Sequence, residues 1–402
     1  MKSKIKILEL TTSFPRFVGD SVGSFIFNKV EVLNNIGIKN DILAPHDKST
    51  SKKEFFDKIK IYRFTYFFNK KFHILAYNYG ISENLKKYFL AKLQLPFLIF
   101  AFFIFTLKYG RKYDIIHANW SIAGLGGLFA AKILRKKFVL TMHGAEVFEL
   151  KKNYILSLLI FYTQNLIVNS NYTLTQLKKY YSLKNKHITI LPFGVKKLPE
   201  IKSYEDHLFW NKKFNIPKNH IVIFSLGRLV ERKGHKYLIK AFKKISKKYF
   251  NIHLVIAGIG PEKNNLKQQV RNLNLDNIYF VDFIKEDELP YFYTNSFCFI
   301  LPAIIDKNGD TEGLGVVNIE ALSYGIPVIS TNVGGITDVI INKKTGILVA
   351  PKNSEQIAEA VFTLLKDNNL YCSLKNNGIT HVEQNFLWNS IAEKYSVLYN
   401  SL

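Results

Sequence analysis

Short apolar runs rich in β-branched residues alternate with amphipathic stretches along the whole chain. The apolar runs predict two series of strands. The first series covers residues 5–10, 40–44, 114–118, 138–142, 166–169 and 187–191, and the second covers 221–226, 253–257, 278–281, 297–301, 327–330 and 346–349. Helical periodicity separates most of these strands, as at 25–35, 237–248 and 354–365. This alternation is typical of parallel sheets with helices on both faces, so the predicted fold class is α/β.

The length of 402 residues predicts two domains of similar size. The first series of strands ends near Gly194, and a polar stretch without clear periodicity follows it. We therefore expect an N-terminal domain over residues 1–195 and a C-terminal domain over residues 206–385. The amphipathic segment 386–402 is predicted to be a helix that packs back on the first domain.

The cysteine content and the N-terminal sequence indicate the cellular compartment of the protein. The two cysteines, Cys298 and Cys372, cannot build a disulfide framework, and their spacing fits no metal motif. The N-terminus is basic and then apolar over a run too short for a signal peptide, so we predict that this run is the first strand. These features favour a reducing cytoplasm.

The formal net charge of +25 is distributed unevenly. Residues 1–200 hold 32 Lys and Arg against 12 Asp and Glu, a net charge of +20, whereas residues 201–402 hold 24 against 19, a net charge of +5. A one-sided basic excess indicates an anionic partner, which is either a membrane surface or a nucleic acid.

Two segments of the basic half leave alternatives open. Residues 95–107 are strongly apolar, but the run of 13 residues is shorter than the roughly 20 that a spanning helix needs. The segment is predicted to be either a buried helix or an interfacial helix that enters one leaflet. Residues 52–71 mix Lys and Arg with Phe and Tyr. They are predicted to form either a solvated, partly packed excursion or a segment that adsorbs to anionic lipid.

The most informative motif is DTEGLGVVNIEAL at residues 310–322, which follows a predicted strand and a loop. Gly313 and Gly315 permit close backbone approach, and the free amides at the start of the helix suit a phosphate. Glu312 in the loop and Glu320 inside the helix can accept hydrogen bonds from hydroxyls on either side of that phosphate. The pattern therefore suits a nucleotide sugar. The alternative is that Glu312 caps the helix and Glu320 is a surface residue.

A basic motif, SLGRLVERKGH at residues 225–235, closes the first strand of the second domain. A turn at Gly227 precedes Arg228, Arg232 and Lys233. Arg can bind two phosphate oxygens at once and Lys adds a point charge, so the motif predicts a diphosphate clamp that needs no metal. The alternative is an ordinary basic loop between a strand and a helix.

Two loops of the first domain are further candidates. The sequence TMHGAE at residues 141–146 places His143 at the carboxyl end of a strand, where parallel sheets bind ligands. The alternative for His143 is a structural hydrogen bond. The loop 14–24 contains Gly23 but lacks the G-x-G-x-x-G spacing of a dinucleotide fingerprint, although its amides could still contact a phosphate or a sugar.

Together these motifs resemble the retaining glycosyltransferases of family 4, also known as glycosyl transferases group 1. Glu312 and Glu320 have the spacing of that family's paired glutamates, and the sequence EGLGVVNIEALSYGIPVISTNVGG resembles its signature nearly throughout. The basic motif resembles the family's Gly-Arg and Lys-Gly pair, and residues 141–146 resemble its His-Gly segment. The resemblance extends over about residues 5–380.

The resemblance implies the GT-B fold, in which two Rossmann-like domains face a central cleft and the C-terminal domain binds most of the donor. Arg228 and Lys233 would hold the diphosphate, Glu320 the ribose hydroxyls and Glu312 the sugar hydroxyls, while His143 would contact the transferred sugar. The implied catalytic residues are thus Glu312, His143, Arg228 and Lys233. The implied donor-binding residues are Gly23, Gly227, Arg228, Lys233, Gly313, Leu314, Gly315 and Glu320. Retention of configuration and independence of metal are also implied.

The sequence thus predicts a retaining transferase that moves a hexose-type sugar from a nucleotide-diphosphate sugar to a lipid-linked or polysaccharide acceptor in cell-surface glycan biosynthesis. It needs no cofactor or metal, and its basic half is expected to hold it at the inner face of the cell membrane. The alternatives are a nucleotide-sugar epimerase of similar fold and a basic nucleic-acid-binding protein, although no nucleic-acid-binding module is visible.

Overall fold

A computed structural model describes residues 5–17, 19–20, 22–68, 72–77, 80–144, 154–196 and 208–402. The chain divides into two compact units. Unit 1 comprises Met1–Gly194 with Trp388–Leu402, and unit 2 comprises Val195–Leu387. Each unit is Rossmann-like: helices pack against a mainly parallel sheet, and each unit has its own apolar core. The polar stretch at residues 197–207, where we predict the domain boundary, lies outside the described residues.

Unit 1 contains a sheet of eight described strands in the order β3-β4-β2-β1-β5-β6-β7-β8. The strands are β1 (Lys6–Leu10), β2 (Lys39–Pro45), β3 (Lys53–Phe56), β4 (Ile59–Phe64), β5 (Ile115–Asn119), β6 (Lys137–Met142), β7 (Asn165–Val168) and β8 (His187–Ile190). The described helices are α1 (Ser24–Asn35), α2 (Ile81–Lys87), α3 (Phe89–Gly110), α4 (Ser121–Ile133), α5 (Tyr154–Tyr162) and α6 (Asn171–Tyr180), with the C-terminal helix described below. Every neighbouring pair is parallel except β3 with β4.

Unit 2 contains a sheet of six described strands, all parallel to their neighbours, in the order β11-β10-β9-β12-β13-β14. The strands are β9 (Ile221–Leu226), β10 (Ile252–Ala257), β11 (Ile278–Val281), β12 (Cys298–Leu301), β13 (Val328–Thr331) and β14 (Ile347–Val349). The described helices are α7 (Phe209–Phe214), α8 (His235–Lys248), α9 (Lys263–Asn272), α10 (Leu289–Thr294), α11 (Val316–Ser323), α12 (Ile336–Val339), α13 (Ser354–Lys366) and α14 (Asn368–Asn385). The α/β class and all 12 predicted strands are confirmed, with each strand end within one residue of its prediction.

The prediction of an excursion at residues 52–71 is wrong for the part that forms β3 and β4. β4 pairs with β2 in parallel and is buried, so this segment extends the sheet. The sequence pattern of β4 is hard to recognise because Arg63, a charged residue, stands at a buried position of this strand. The guanidinium lies 2.5 Å from the Glu54 carboxylate and donates to the Tyr77 hydroxyl at 2.7 Å. Residues 69–71 lie outside the described part of the chain.

The apolar segment 95–107 belongs to α3, a helix of 22 residues, so its predicted length of 13 residues is wrong. Among the described residues, α3 is the one helix long and apolar enough to cross a membrane. Its inner side nevertheless belongs to the core of unit 1. Gln94 is buried there, where it accepts from the amide of Leu75 at 3.2 Å and donates to the carbonyl of Phe72. The opposite side of α3 is exposed.

The C-terminal helix α15 (Trp388–Asn400) lies in unit 1. Trp388, Ile391 and Tyr399 are buried in the core on one side of the sheet. The contact at Trp388 is close, because a Cβ added to Gly194 would lie 2.6 Å from the Trp388 ring. The polypeptide therefore leaves unit 1 after Gly194 and returns to it at residue 388.

Candidate functional site

The predicted donor motifs lie together at the carboxyl ends of two adjacent strands of unit 2. β9 ends at Leu226 and runs directly into Gly227, while β12 ends at Leu301 and leads into the loop before α11. From β9 the chain adds β10 and β11 on one side of that strand, and it then returns to add β12 on the other side. Such a reversal opens a crevice at the carboxyl ends of the strands, which is where open parallel sheets bind ligands.

Lys233 and Glu312 form the centre of this site. The Lys233 Nζ atom lies 3.0 Å from Glu312 Oε1, and both side chains are largely buried. The stem of Lys233 passes over Gly227, where an added Cβ would lie 3.3 Å from Lys233 Cε. Gly227 therefore leaves room for the lysine to cross the end of β9. The structure thus brings together three residues that the sequence predicts.

Arg232 differs from Lys233 because internal partners occupy its guanidinium. The guanidinium contacts the Glu312 carboxylate, and its Nε atom lies 3.2 Å from the Asp310 carboxylate. Because both carboxylates belong to the loop before α11, Arg232 has a structural role: it links that loop to the loop after β9. Arg228 is exposed and has no ion pair with any described residue, so it is the cation next to β9 that is open to a ligand.

The charge state of Glu312 follows from these contacts. Burial raises the pKa of the Glu312 carboxyl, but the charges of Lys233 and Arg232 lower it by more, so that the pKa lies below its ordinary value. Glu312 is therefore a carboxylate at neutral pH. An ionised carboxylate is an acceptor only, which suits it to bind hydroxyl groups.

The start of α11 exposes backbone donors to the same crevice. Gly315 precedes the helix with φ of 76°, a conformation that favours glycine. The amides of Gly313, Leu314 and Gly315 donate no hydrogen bond to any described residue. Free amides at a helix N-terminus can bind an anion such as a phosphate.

The signature that begins at Glu312 ends in a further pair, Gly334 and Gly335, that we did not predict as part of the site. The Gly335 amide donates to the Glu312 carbonyl at 2.8 Å. A Cβ added to Gly335 would lie 2.0 Å from the Gly313 carbonyl oxygen, and one added to Gly334 would lie 2.1 Å from that of Glu312. The two glycines therefore hold the backbone of the Glu312 loop. The GG sequence at the end of the signature was the signal available for them.

Glu320 lies on α11 and is half-buried. The hydroxyl of Tyr293 donates to Glu320 Oε2 at 3.0 Å, and the ring of Tyr293 stacks on Tyr324. Burial raises the pKa of Glu320 to about 7, although the hydrogen bond from Tyr293 opposes this shift. Tyr293 therefore orients Glu320, and no pattern in the sequence predicts that role.

We expect the affinity for a nucleoside diphosphate to rise with pH through the pKa of Glu320. A carboxylate accepts two hydroxyl hydrogen bonds, and a protonated carboxyl accepts them less well. Ligand binding should therefore favour the ionised form and strengthen by up to about tenfold between pH 6 and pH 8. Calorimetric titrations at several pH values measure this effect. Glu320→Gln is the control, since it keeps the shape of the side chain; an equal pH dependence in that variant would assign the effect to the ligand phosphate.

In unit 1, His143 follows β6 and is enclosed by aromatic rings. Its ring stacks on Phe193 at 5.2 Å between centroids and also contacts Phe25 and Trp120. Burial, and next the charge of Lys29, lower the pKa of His143 well below its ordinary value. The imidazole is therefore neutral at physiological pH. Ala145 and Glu146 of the same motif lie outside the described residues.

Hydrogen bonds fix which nitrogen of His143 carries the proton. The Glu9 carboxylate pairs with Lys29 at 2.9 Å and accepts from the Asn119 amide nitrogen at 2.7 Å. The amide oxygen of Asn119 therefore faces His143 and accepts from its Nε2–H at 3.2 Å. The His143 Nδ1 atom is then an acceptor, and it has no hydrogen-bond partner among the described residues. Asn119 is a site residue that the sequence prediction missed.

Gly23 precedes α1 with φ of 73°, and an added Cβ would lie 2.7 Å from the Ser13 carbonyl oxygen. The close approach explains the glycine at this position. Two residues later, Phe25 contacts the His143 ring. Gly23 and His143 therefore lie near each other in unit 1, and the other predicted site residues lie in unit 2. Among the described residues, no group of three or more His, Cys, Asp or Glu side chains could hold a metal ion.

Two sequence families match the two halves of the chain. Residues 206–381 match the family described as Glycosyl transferases group 1, and residues 22–197 match the family described as Glycosyltransferase Family 4. The two matched segments follow each other along the chain and cover most of it.

Individual proteins agree with these matches. The capsular polysaccharide biosynthesis glycosyltransferase CapM of Staphylococcus aureus is 29% identical over 305 residues, which are 73% of this chain and 78% of CapM. The GDP-mannose-dependent alpha-(1-6)-phosphatidylinositol monomannoside mannosyltransferase of Mycobacterium tuberculosis is 31% identical over 185 residues, which are 46% of this chain and 48% of that protein. Among solved structures, Anabaena HepE in complex with UDP is similar with a TM-score of 0.76 at 18% identity, and the comparison covers 100% of both chains.

Proposed function

The chain belongs to the GT-B glycosyltransferases of the family 4 type, which use nucleotide sugars in glycan biosynthesis, and on that premise we propose that it is a retaining hexosyltransferase. The observation that carries the site assignment is the buried Lys233–Glu312 pair at the crevice between β9 and β12. A cation for the leaving diphosphate and a carboxylate for sugar hydroxyls stand next to each other there.

The donor is proposed to bind along this crevice. Arg228 and Lys233 neutralise the diphosphate without a metal, and the amides of Gly313, Leu314 and Gly315 bind its oxygens. Glu320 accepts hydrogen bonds from the ribose hydroxyls, and Glu312 accepts them from the sugar. The open donors of Arg228 and the free amides before α11 support these roles.

We propose that transfer proceeds by attack on the same face of the sugar from which the diphosphate departs. The bond between the anomeric carbon and the leaving oxygen breaks, the acceptor oxygen bonds to that carbon, and the leaving phosphate takes the acceptor's proton. Lys233 and Arg228 stabilise the charge that develops on the diphosphate, and positioning supplies much of the remaining rate. His143 contributes an acceptor at Nδ1 for a hydroxyl of the transferred sugar.

The acceptor is proposed to be lipid-linked or a polysaccharide, and the protein is proposed to work in the cytoplasm at the inner face of the cell membrane. The basic excess of residues 1–200 supports attraction to an anionic surface. The names of CapM and of the mycobacterial mannosyltransferase point to the same acceptor classes.

The experiment has two stages. Thermal-shift measurements against UDP, GDP and ADP, each with its sugar conjugates, should identify one stabilising donor by mass action. UDP is tested first because HepE was solved with it. The product formed from that donor should then keep the anomeric configuration of the donor by NMR. An inverted product would overturn the retaining mechanism, and the absence of stabilisation by every nucleotide would overturn the donor site.

A further inference from the structure

Unit 1 exposes a continuous apolar face on the side of its sheet that α3, α4 and α5 cover. Phe97, Phe100 and Ile104 lie on one stripe of α3, because their spacing of three and four residues matches the helical repeat. Phe129 of α4 and Phe161 of α5 are also exposed. The helices are neighbours, since α4 contacts both α3 and α5. Exposed apolar side chains that lie together on neighbouring helices mark an interaction site.

A groove of about 620 Å³ runs between α3 and α4 within this apolar face. Phe100, Phe103 and Phe129 are among the side chains that line it. Its floor is formed where the two helices touch, because a Cβ added to Gly126 would lie 2.5 Å from the Ile99 carbonyl oxygen. The groove is therefore a stable feature of the packing, and its walls are almost entirely hydrocarbon.

Lysines border the apolar face. Lys92 and Lys108 are exposed on α3, and the Lys132 ammonium lies 3.7 Å from the centroid of the Tyr162 ring. Lys186 donates to the Phe161 carbonyl at 2.5 Å. The three helices contain no Asp or Glu. Aromatic and aliphatic side chains bordered by lysines match the boundary of an anionic bilayer, where hydrocarbon lies beneath a layer of phosphates.

We propose that the apolar face docks the protein on an anionic phospholipid bilayer. The exposed side chains enter the acyl region of one leaflet, the groove holds part of an acyl chain, and the lysines bind lipid phosphates. The inference rests on the proposed membrane location and specifies which surface makes the contact. α4 begins at Ser121, directly after Trp120, whose ring contacts His143. Docking by this face therefore brings the His143 region close to lipid-linked substrates.

The packing favours this occupant over two others. A spanning orientation of α3 would remove Gln94 and Leu98 from the core of unit 1, where both are fully buried. A second copy docked through the same face would oppose lysines with lysines, because a two-fold contact pairs identical surfaces. Like charges facing each other oppose association.

The test compares two double variants that carry the same change. Phe100→Glu with Phe161→Glu places charges on the apolar face, at residues that are 61% and 69% exposed. Phe250→Glu with Phe283→Glu is the matched control in unit 2, at residues that are 87% and 70% exposed. Flotation with vesicles of phosphatidylcholine, with and without phosphatidylglycerol, measures partitioning. We expect the first variant to bind the anionic vesicles about a hundredfold more weakly than the wild type, and the control to bind as the wild type does.

Two further measurements keep the outcomes distinct. Hydrogen exchange of the wild-type protein should slow in α3, α4 and α5 when anionic vesicles are added, which requires no variant to fold. Nucleotide binding should be equal in all three proteins, so a failure of the donor site is recognised separately. Equal vesicle binding by both double variants would overturn the proposal, and so would a wild-type protein that ignores vesicles but forms dimers through this face.

Discussion

Lys233→Ala is expected to lower the rate of sugar transfer by about 10²–10³-fold, because it removes a preorganised cation from the leaving diphosphate. Its ammonium is held 3.0 Å from Glu312 and largely out of water, so its charge acts in a low-dielectric setting. The affinity for UDP should fall while the affinity for uridine stays unchanged, since only UDP carries the diphosphate. Steady-state kinetics and calorimetry with both ligands measure the two effects.

Lys236→Ala is the matched control for this prediction. It removes a nearby lysine whose ammonium is exposed and lies 3.7 Å from Glu231. Transfer should stay near the wild-type rate. If Lys233 served only to neutralise Glu312, its loss would lower thermal stability and weaken the binding of uridine and UDP equally, which would contradict a phosphate role. Arg232 still neutralises Glu312 in the Lys233→Ala variant, so we expect the protein to fold.

Gly335→Ala is expected to reduce transfer by about tenfold or more, although residue 335 carries no side chain toward the donor. Its φ of −79° is open to any residue, so the effect comes from space alone. The added methyl group would lie 2.0 Å from the Gly313 carbonyl oxygen. The loop must then move, and the Glu312 carboxylate and the amides after it move with it. The Kd for UDP and the KM for the donor should both rise.

A control for the glycine prediction is Gly378→Ala in α14. Its added Cβ would lie 2.9 Å from the end of the Leu322 side chain, which can rotate away. Alanine also favours the helix over glycine, so stability should be kept or raised. If both variants lost transfer activity equally, an added methyl group anywhere in unit 2 would explain the loss. That result would contradict a specific effect of Gly335→Ala on the Glu312 loop.

The sequence predicted the strands well because buried parallel strands are short apolar runs that turn residues delimit. The donor residues could be predicted from their positions next to strand ends, where a βα loop leads into a helix. Lys233, Glu312 and Gly227 were expected in one site on that basis, and they lie together in the structure. Their roles toward a donor remain predictions.

Contacts between distant residues could not be predicted in the same way. Asp310 and Glu312 occupy Arg232, Tyr293 orients Glu320 and Asn119 sets the tautomer of His143. None of these pairs has a spacing that a helix or strand repeat would produce. Arg63 hid β4 for a related reason, because a buried ion pair replaces the apolar residue that a strand pattern needs.

Unit 1 can be completed only after unit 2 has been synthesised, because helix α15 follows unit 2 in the chain. Trp388 and Tyr399 close a core whose other residues, such as Ile7 and Ile115, leave the ribosome first. Unit 2 comprises roughly 190 residues between these parts, and its translation takes about 10–40 s at common rates. During that interval unit 1 has every described strand of its sheet and helix α1, but it lacks α15, which completes the cover of one side of the sheet. The second unit is therefore the first that can finish folding, and the growing N-terminal unit is the part that most needs protection from aggregation.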